Sequence, residues 1–248
     1  MMKCFKTMLK TELKLSIRDM NMVIFAIIMP TIILSILGII YYGKSAFDGS
    51  YYSFIDQSFG ALCSISICAG SVMGLPIMIS DYREKKILKR FKITPVSPIM
   101  ILMVQLLIYS IYAFSSMILL WLEARICFGF KMYGSWWSFI IGWFLVLLSM
   151  LSIGTLVGGI AKNSKQASVI ACILYFPMLI FSGATLPYEI MPKTLQTISN
   201  VMPLTQGIKI LKNISLGQPV NNMYFSMIVM AGVAVIFIGC SIRFFKWE

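Results

Sequence analysis

Residues 93–122 read ITPVSPIMILMVQLLIYSIYAFSSMILLWL: thirty positions without one Asp, Glu, Lys or Arg. A helix needs about 20 mainly apolar residues to cross a hydrocarbon layer about 30 Å thick. This stretch meets that length after its two prolines, and it does not stand alone. Charge-free gaps also cover residues 20–43, 57–80, 132–161, 166–188 and 213–242. A seventh gap, 194–208, is short, polar and broken by Pro203, so it is not counted. Six such helices among 248 residues leave too little polar surface for a soluble globule, and the 12% charge is half the usual share. Membrane β-barrels show alternating segments of about ten residues, not continuous apolar runs.

The expected fold is therefore an all-α integral membrane protein with six transmembrane helices at 22–42, 57–79, 98–121, 137–160, 167–186 and 223–242. An N-terminal amphipathic interfacial helix occupies 1–21, a basic cytoplasmic loop 81–97, and an extracellular loop with short re-entrant helices 187–222. Orientation follows from the bases, which gather in the loops on the inner side. Alternate loops hold 15 of the 21 Lys and Arg residues, and the opposite side holds six. Both termini are thus expected in the cytoplasm of a multi-pass cell-membrane protein. Topology accounts for the net charge of +12, so no nucleic-acid partner is required. The first span is preceded by a long polar lead and followed by no small-x-small site, unlike a cleaved signal peptide.

Lys3, Lys6, Lys10, Lys14 and Arg18 share one face of the first segment, opposite Met2, Phe5, Leu9 and Leu13. That pattern suits a helix lying on anionic headgroups. Glu12 falls on the apolar side. It either snorkels to water from the edge or turns inward to a base of another cytoplasmic segment. Residues 81–95 form a mixed-charge helix-former stretch in which Ile87, Leu88 and Phe91 make a small apolar face, and Thr94-Pro95 stops it. A plain positive-inside loop needs only two or three bases, so this stretch reads as a docking element for a cytoplasmic partner. Gly154, Gly158 and Gly159, like Gly70 and Gly74, mark close helix packing within the chain or a dimer face.

Several chemistries are missing. There is no histidine, and the six cysteines show no CxxC spacing. Gly154-Thr-Leu-Val-Gly-Gly159 lacks the Lys-Ser/Thr of a phosphate loop. The centres of the spans carry no ionisable side chain, where ion-coupled transporters commonly keep one. No residues assemble an activated acid, base or nucleophile. The expectation is a passive conduit that binds no cofactor and is not an enzyme. The rival readings are an ion-coupled secondary transporter or channel, and a non-transporting membrane scaffold or immunity protein.

Arg18-Asp19 closes the amphipathic helix. Arg83-Glu84, Leu88-Lys89-Arg90-Phe91-Lys92 and Thr94-Pro95-Val96-Ser97-Pro98 lead into the third span. Phe181-Ser182-Gly183, Pro187, Met191-Pro192, Leu195-Gln196, Ile198 and Pro203-Leu204-Thr205 precede the last. In these features the chain resembles the permease subunits of type-2 ABC exporters: the second set resembles that family's coupling-helix motif and the third its signature before the last span. The pattern departs at Lys86-Ile87, where the family often has Gly-Thr, and near Gln206-Gly207, where an acid is missing. The resemblance implies a homodimer or heterodimer of six-span permeases with two cytoplasmic ATPase subunits, which bind ATP and Mg. Arg83, Glu84, Lys85, Ile87, Leu88, Arg90 and Phe91 would couple to the ATPase, with Glu12, Arg18 and Asp19 in the interfacial helix. Phe181, Ser182, Gly183, Pro187, Pro192 and Pro203 would form an extracellular gate. Inward-facing Gln105, Tyr109, Tyr112, Ser115 and Ser116 are candidates for the path of an apolar or amphipathic substrate: a drug, an antimicrobial peptide or a lipid-like compound.

Overall fold

The computed structural model describes residues 2–18, 20–46, 51–87, 98–183, 192–219 and 223–244. All regular structure among them is helical, as expected for an all-α membrane protein. Helix α1 is Met2–Arg18, and a second helical run, α2, covers Met20–Val23, Ile24–Ile28 and Met29–Ile40. Among the described residues, five helices are long and apolar enough to cross a membrane: α3 (Phe54–Glu84), α4 (Pro98–Phe128), α5 (Trp136–Ile160), α6 (Ser164–Phe181) and, after two short helices, α9 (Tyr224–Phe244). The apolar helix in α2, Ile24–Ile40, is shorter. The short pair is α7 (Lys193–Val201) and α8 (Pro203–Ser215).

Helix α3 is the axle of the bundle. Every residue from 59 to 72 is buried, and α2, α4, α5, α6 and α8 pack around it. Glycines set how close some of these neighbours come. A Cβ on Gly154 of α5 would lie 1.9 Å from the Ser71 carbonyl oxygen, and one on Gly158 would lie 3.1 Å from the Pro76 Cα. The small-residue face of α5 is therefore consumed against α3 within one chain. Helices α6 and α9 leave Val169, Ile173, Phe176, Phe225, Ile228 and Val235 exposed, as suits surfaces in contact with lipid.

Prolines explain two irregular turns. Pro30 cannot donate to the Ala26 carbonyl, and the chain widens into a π turn at Ile24–Ile28 just before it. The orphaned Ala26 oxygen accepts a 2.7 Å hydrogen bond from Ser66 of α3. Within a membrane no water is at hand to do this, so a side chain must. Pro76 likewise follows a π turn at Ala69–Gly74.

Two boundaries differ from the charge-free gaps. Helix α3 continues past residue 79 through Asp81, Tyr82, Arg83 and Glu84, because those polar groups find partners described below. Helix α6 stops at Phe181, not at 186, and Gly183 sits at φ +80° in the left-handed region that favours glycine.

Candidate functional site

The polar chemistry gathers at the two ends of the bundle. At the basic end, α1 lies against α4: Phe5, Met8, Leu9 and Leu13 pack on Val104, Ile108 and Tyr112. Lys6, Lys10, Lys14 and Arg18 stay exposed on the other side. The Tyr112 hydroxyl donates to Ser16 at 2.8 Å.

Glu12 turns inward and is buried, so the edge-snorkelling alternative does not describe it. Its partners are not bases either. Its carboxylate accepts hydrogen bonds from the Tyr82 hydroxyl and, at 3.0 Å, from the Gln105 amide. A buried carboxylate is tolerable only when donors replace lost water, and hydroxyl and amide donors suffice. This cluster joins α1, α3 and α4 at one point.

The next two residues of α3 face the opposite way. Arg83 donates to the Ala161 carbonyl at 2.5 Å and the Gly158 carbonyl at 3.0 Å, at the C-terminal end of α5. Glu84 accepts from the Ser164 backbone N–H at 3.0 Å and its hydroxyl at 2.8 Å, at the start of α6. Lys85 pairs with Asp81 at 2.7 Å on the exposed surface, which holds the Lys85 ammonium above its usual range. Lys86 follows at φ +56°, the left-handed residue that ends α3, and Ile87 packs on Tyr82 and Ile101. Leu88, Arg90 and Phe91, like Asp19 and Pro187, lie outside the described residues.

At the other end, α8 is seated deep in the bundle. Leu204, Thr205, Gln206, Gly207, Ile210 and Leu211 are buried. Three glycines outside α8 make room. A Cβ on Gly60 would lie 2.6 Å from the Leu211 backbone, one on Gly134 1.9 Å from the Ile214 oxygen, and one on Gly142 2.9 Å from the Ile214 side chain. Polar partners are internal. Gln206 donates to the Asn200 carbonyl and accepts from Ser226 at 2.7 Å, and Lys209 donates to the Asn200 side chain at 2.5 Å. Partial burial holds the Lys209 ammonium below its ordinary range. Asp56 ties neighbouring segments: it forms a reciprocal cap with Ser53 at the start of α3 and accepts the Lys131 N–H at 2.9 Å. Pro192 and Pro203 open α7 and α8. Ser182 is buried, donating to the Leu179 carbonyl at 2.7 Å, beside half-buried Phe181 and Gly183.

Of the proposed path residues, Gln105, Tyr109, Tyr112 and Ser116 are buried inside the single chain, and Ser115 is half-buried. Gln105 and Tyr112 are held by α1, and Tyr109 joins the main core. Sequence reasoning missed Tyr82, because its role depends on Glu12, seventy positions away. It missed Asp56 and Ser53 as well, although Ser-x-x-Asp before an apolar run is a legible cap.

The comparisons with known proteins agree with this architecture. Over 132 residues, 52% of this chain and 34% of the relative, the sequence is 26% identical to the inner membrane transport permease YhhJ of Escherichia coli (strain K12), and the Shigella flexneri protein of the same name matches equally. Over 76 residues, 31% of this chain and 29% of the relative, it is 30% identical to nodulation protein J of Rhizobium leguminosarum bv. viciae. The matched region spans about a third of the length of these relatives. A family profile described as "ABC-2 type transporter" matches residues 3–216, from α1 through the end of α8. The chain belongs to the ABC-2 type transporter family of membrane permeases.

Proposed function

We propose that the chain is the membrane-spanning subunit of an ATP-binding cassette exporter, which forms the path for a hydrophobic or amphipathic substrate and takes its power from a separate ATPase. The observation that carries this reading is the family match over residues 3–216, laid on a bundle whose charged groups sit at its ends. In this reading α2 is the first of six spans, both termini are cytoplasmic, and the basic end faces the cytoplasm of the cell membrane. The lipid supplies a solvent for the exposed faces of α6 and α9. Two permeases, identical or sister chains, pair and receive two ATPase subunits. The stretch 81–97 is the contact, with Leu88, Arg90 and Phe91 as the touching side chains. ATP and Mg are bound by the partner, and this chain does no chemistry of its own. At the opposite end, α7 and α8 with Phe181 and Gly183 close the exit. Ser115, half-exposed on the single chain, is the polar position best placed to meet substrate.

The test is reconstitution. The permease is purified with an ATPase and placed in vesicles containing a fluorescent amphipathic dye. Dye movement is expected to require ATP and both proteins, and Phe91→Ala is expected to leave ATP hydrolysis without movement. Uphill dye transport by the permease alone under an ion gradient overturns the proposal in favour of a secondary transporter.

A further inference from the structure

Arg83 and Glu84 are consecutive, opposite in charge, and engaged on helix ends of opposite polarity. The C-terminal end of α5 presents carbonyls and a partial negative charge, and Arg83 meets it with two hydrogen bonds. The N-terminal end of α6 presents N–H groups and a partial positive charge, and Glu84 meets it with two. The turn between those ends is short and itself capped. Asn163 accepts from the Gln166 N–H at 2.8 Å, and Gln166 accepts from the Lys162 N–H at 2.9 Å. Just above, Gly154 and Gly158 bring α5 against α3 at backbone contact.

We infer that the Arg83–Glu84 pair is a clamp that makes the basic ends of α3, α5 and α6 one rigid body, so that displacement of the segment after Glu84 is passed to two further spans. These residues thus act as positioning residues inside the permease. The geometry separates them from their neighbour: Tyr82 engages α1 and α4 through Glu12 and Gln105, while Arg83 and Glu84 engage α5 and α6. The tip of α3 is where the two groups of helices meet. The inference rests on the exporter reading only for what moves the body; the clamp itself is a property of the single chain.

Spin labels at Lys85 and Lys165, both exposed, report the separation of the α3 tip from the start of α6. The full chain is labelled after replacement of its six native cysteines and placed in phosphatidylethanolamine–phosphatidylglycerol nanodiscs. The parent is expected to give one narrow distance. Glu84→Ala, at an exposed position, is expected to broaden it about twofold by freeing local opening. Arg83→Lys keeps the charge but loses the fork, and is expected to broaden it less. Unchanged widths in both variants overturn the clamp. With an ATPase added and trapped by ATP and vanadate, the parent distance is expected to stay fixed, and a clear nucleotide-driven change in the parent also overturns it. If no ATPase associates, the exporter reading fails while the distance widths still decide the clamp.

Discussion

The Ser66 hydroxyl donates a 2.7 Å hydrogen bond to the Ala26 carbonyl, forty residues away. It replaces the N–H that Pro30 lacks. Ser66→Ala leaves a buried oxygen unpaired and is expected to cost about 1–3 kcal/mol, measured by unfolding in detergent. Pro30→Ala restores a backbone donor one turn along. The double variant is expected to lose less than the sum of the two single changes, a coupling that a double-mutant cycle reads directly.

Lys86 holds φ +56° at the end of α3, where a side chain crowds the backbone. Glycine pays no such penalty there. Lys86→Gly is expected to stabilise the protein by up to about 1 kcal/mol, seen as a higher melting temperature, because the strain relieved outweighs the entropy added to the unfolded chain. An unchanged or lower melting temperature refutes it.

Gly154 and Gly232 separate close contact from open space. A Cβ on Gly154 would collide with the Ser71 carbonyl, whereas one on Gly232 meets nothing within 4 Å. Gly154→Ala is expected to destabilise by about 3 kcal/mol or more. Gly232→Ala is expected to be neutral or to stabilise by about 0.5–1 kcal/mol through helix propensity. Equal melting temperatures for the two variants would contradict the packing described for α3 and α5.

Removing Glu12 strands two buried donors. Glu12→Ala is expected to cost about 2–3 kcal/mol and to raise protease sensitivity of α1, while Glu12→Gln costs less because it keeps an acceptor. Tyr82→Phe on top of Glu12→Ala is expected to add almost nothing, since the acceptor of its hydroxyl proton is already gone. Full additivity of the two losses would show that they do not share one network.

Lys209 supplies a pH signature. Its folded-state value is depressed by burial below the ordinary 10.5. Between that lowered value and 10.5 the unfolded chain holds a proton that the folded chain has shed, so stability rises with pH across this window. Lys209→Met is expected to flatten that rise in thermal unfolding measured at successive alkaline pH values. An identical slope in the variant would assign the rise to another group.

Most of the bundle was legible because dehydrating an ion is costly, and charge-free length alone marks where a helix can sit in lipid. The helix ends were not legible on that basis. Arg83 and Glu84 extend α3 because two other helices offer them terminal dipoles, and no feature within 81–95 announces those partners. The basic face of α1 was readable from spacing, but the meaning of Glu12 was not, since a carboxylate pointing inward has to be matched with donors on α3 and α4. Helix α8 read as too short and too polar to span. It is deep because Gln206 and Thr205 satisfy their polarity locally while Gly60, Gly134 and Gly142 vacate space, and a glycine reveals such a role only beside its neighbour. Lys86 is the opposite case: a departure from the pattern of the resemblance, visible in the sequence, that coincides with a left-handed backbone position.

Helix α3 runs from Phe54 to Glu84, 31 residues, with a π turn at Ala69–Gly74. At about 1.5 Å per residue the rod is about 46 Å long, against a hydrocarbon slab of about 30 Å. It must therefore lean or overhang, and its overhang behaves as a lever. A lean of about 10° swings one end by about 8 Å relative to the other on this rise per residue. A small angular change deep in the lipid thus becomes a displacement of about 8 Å between the two ends.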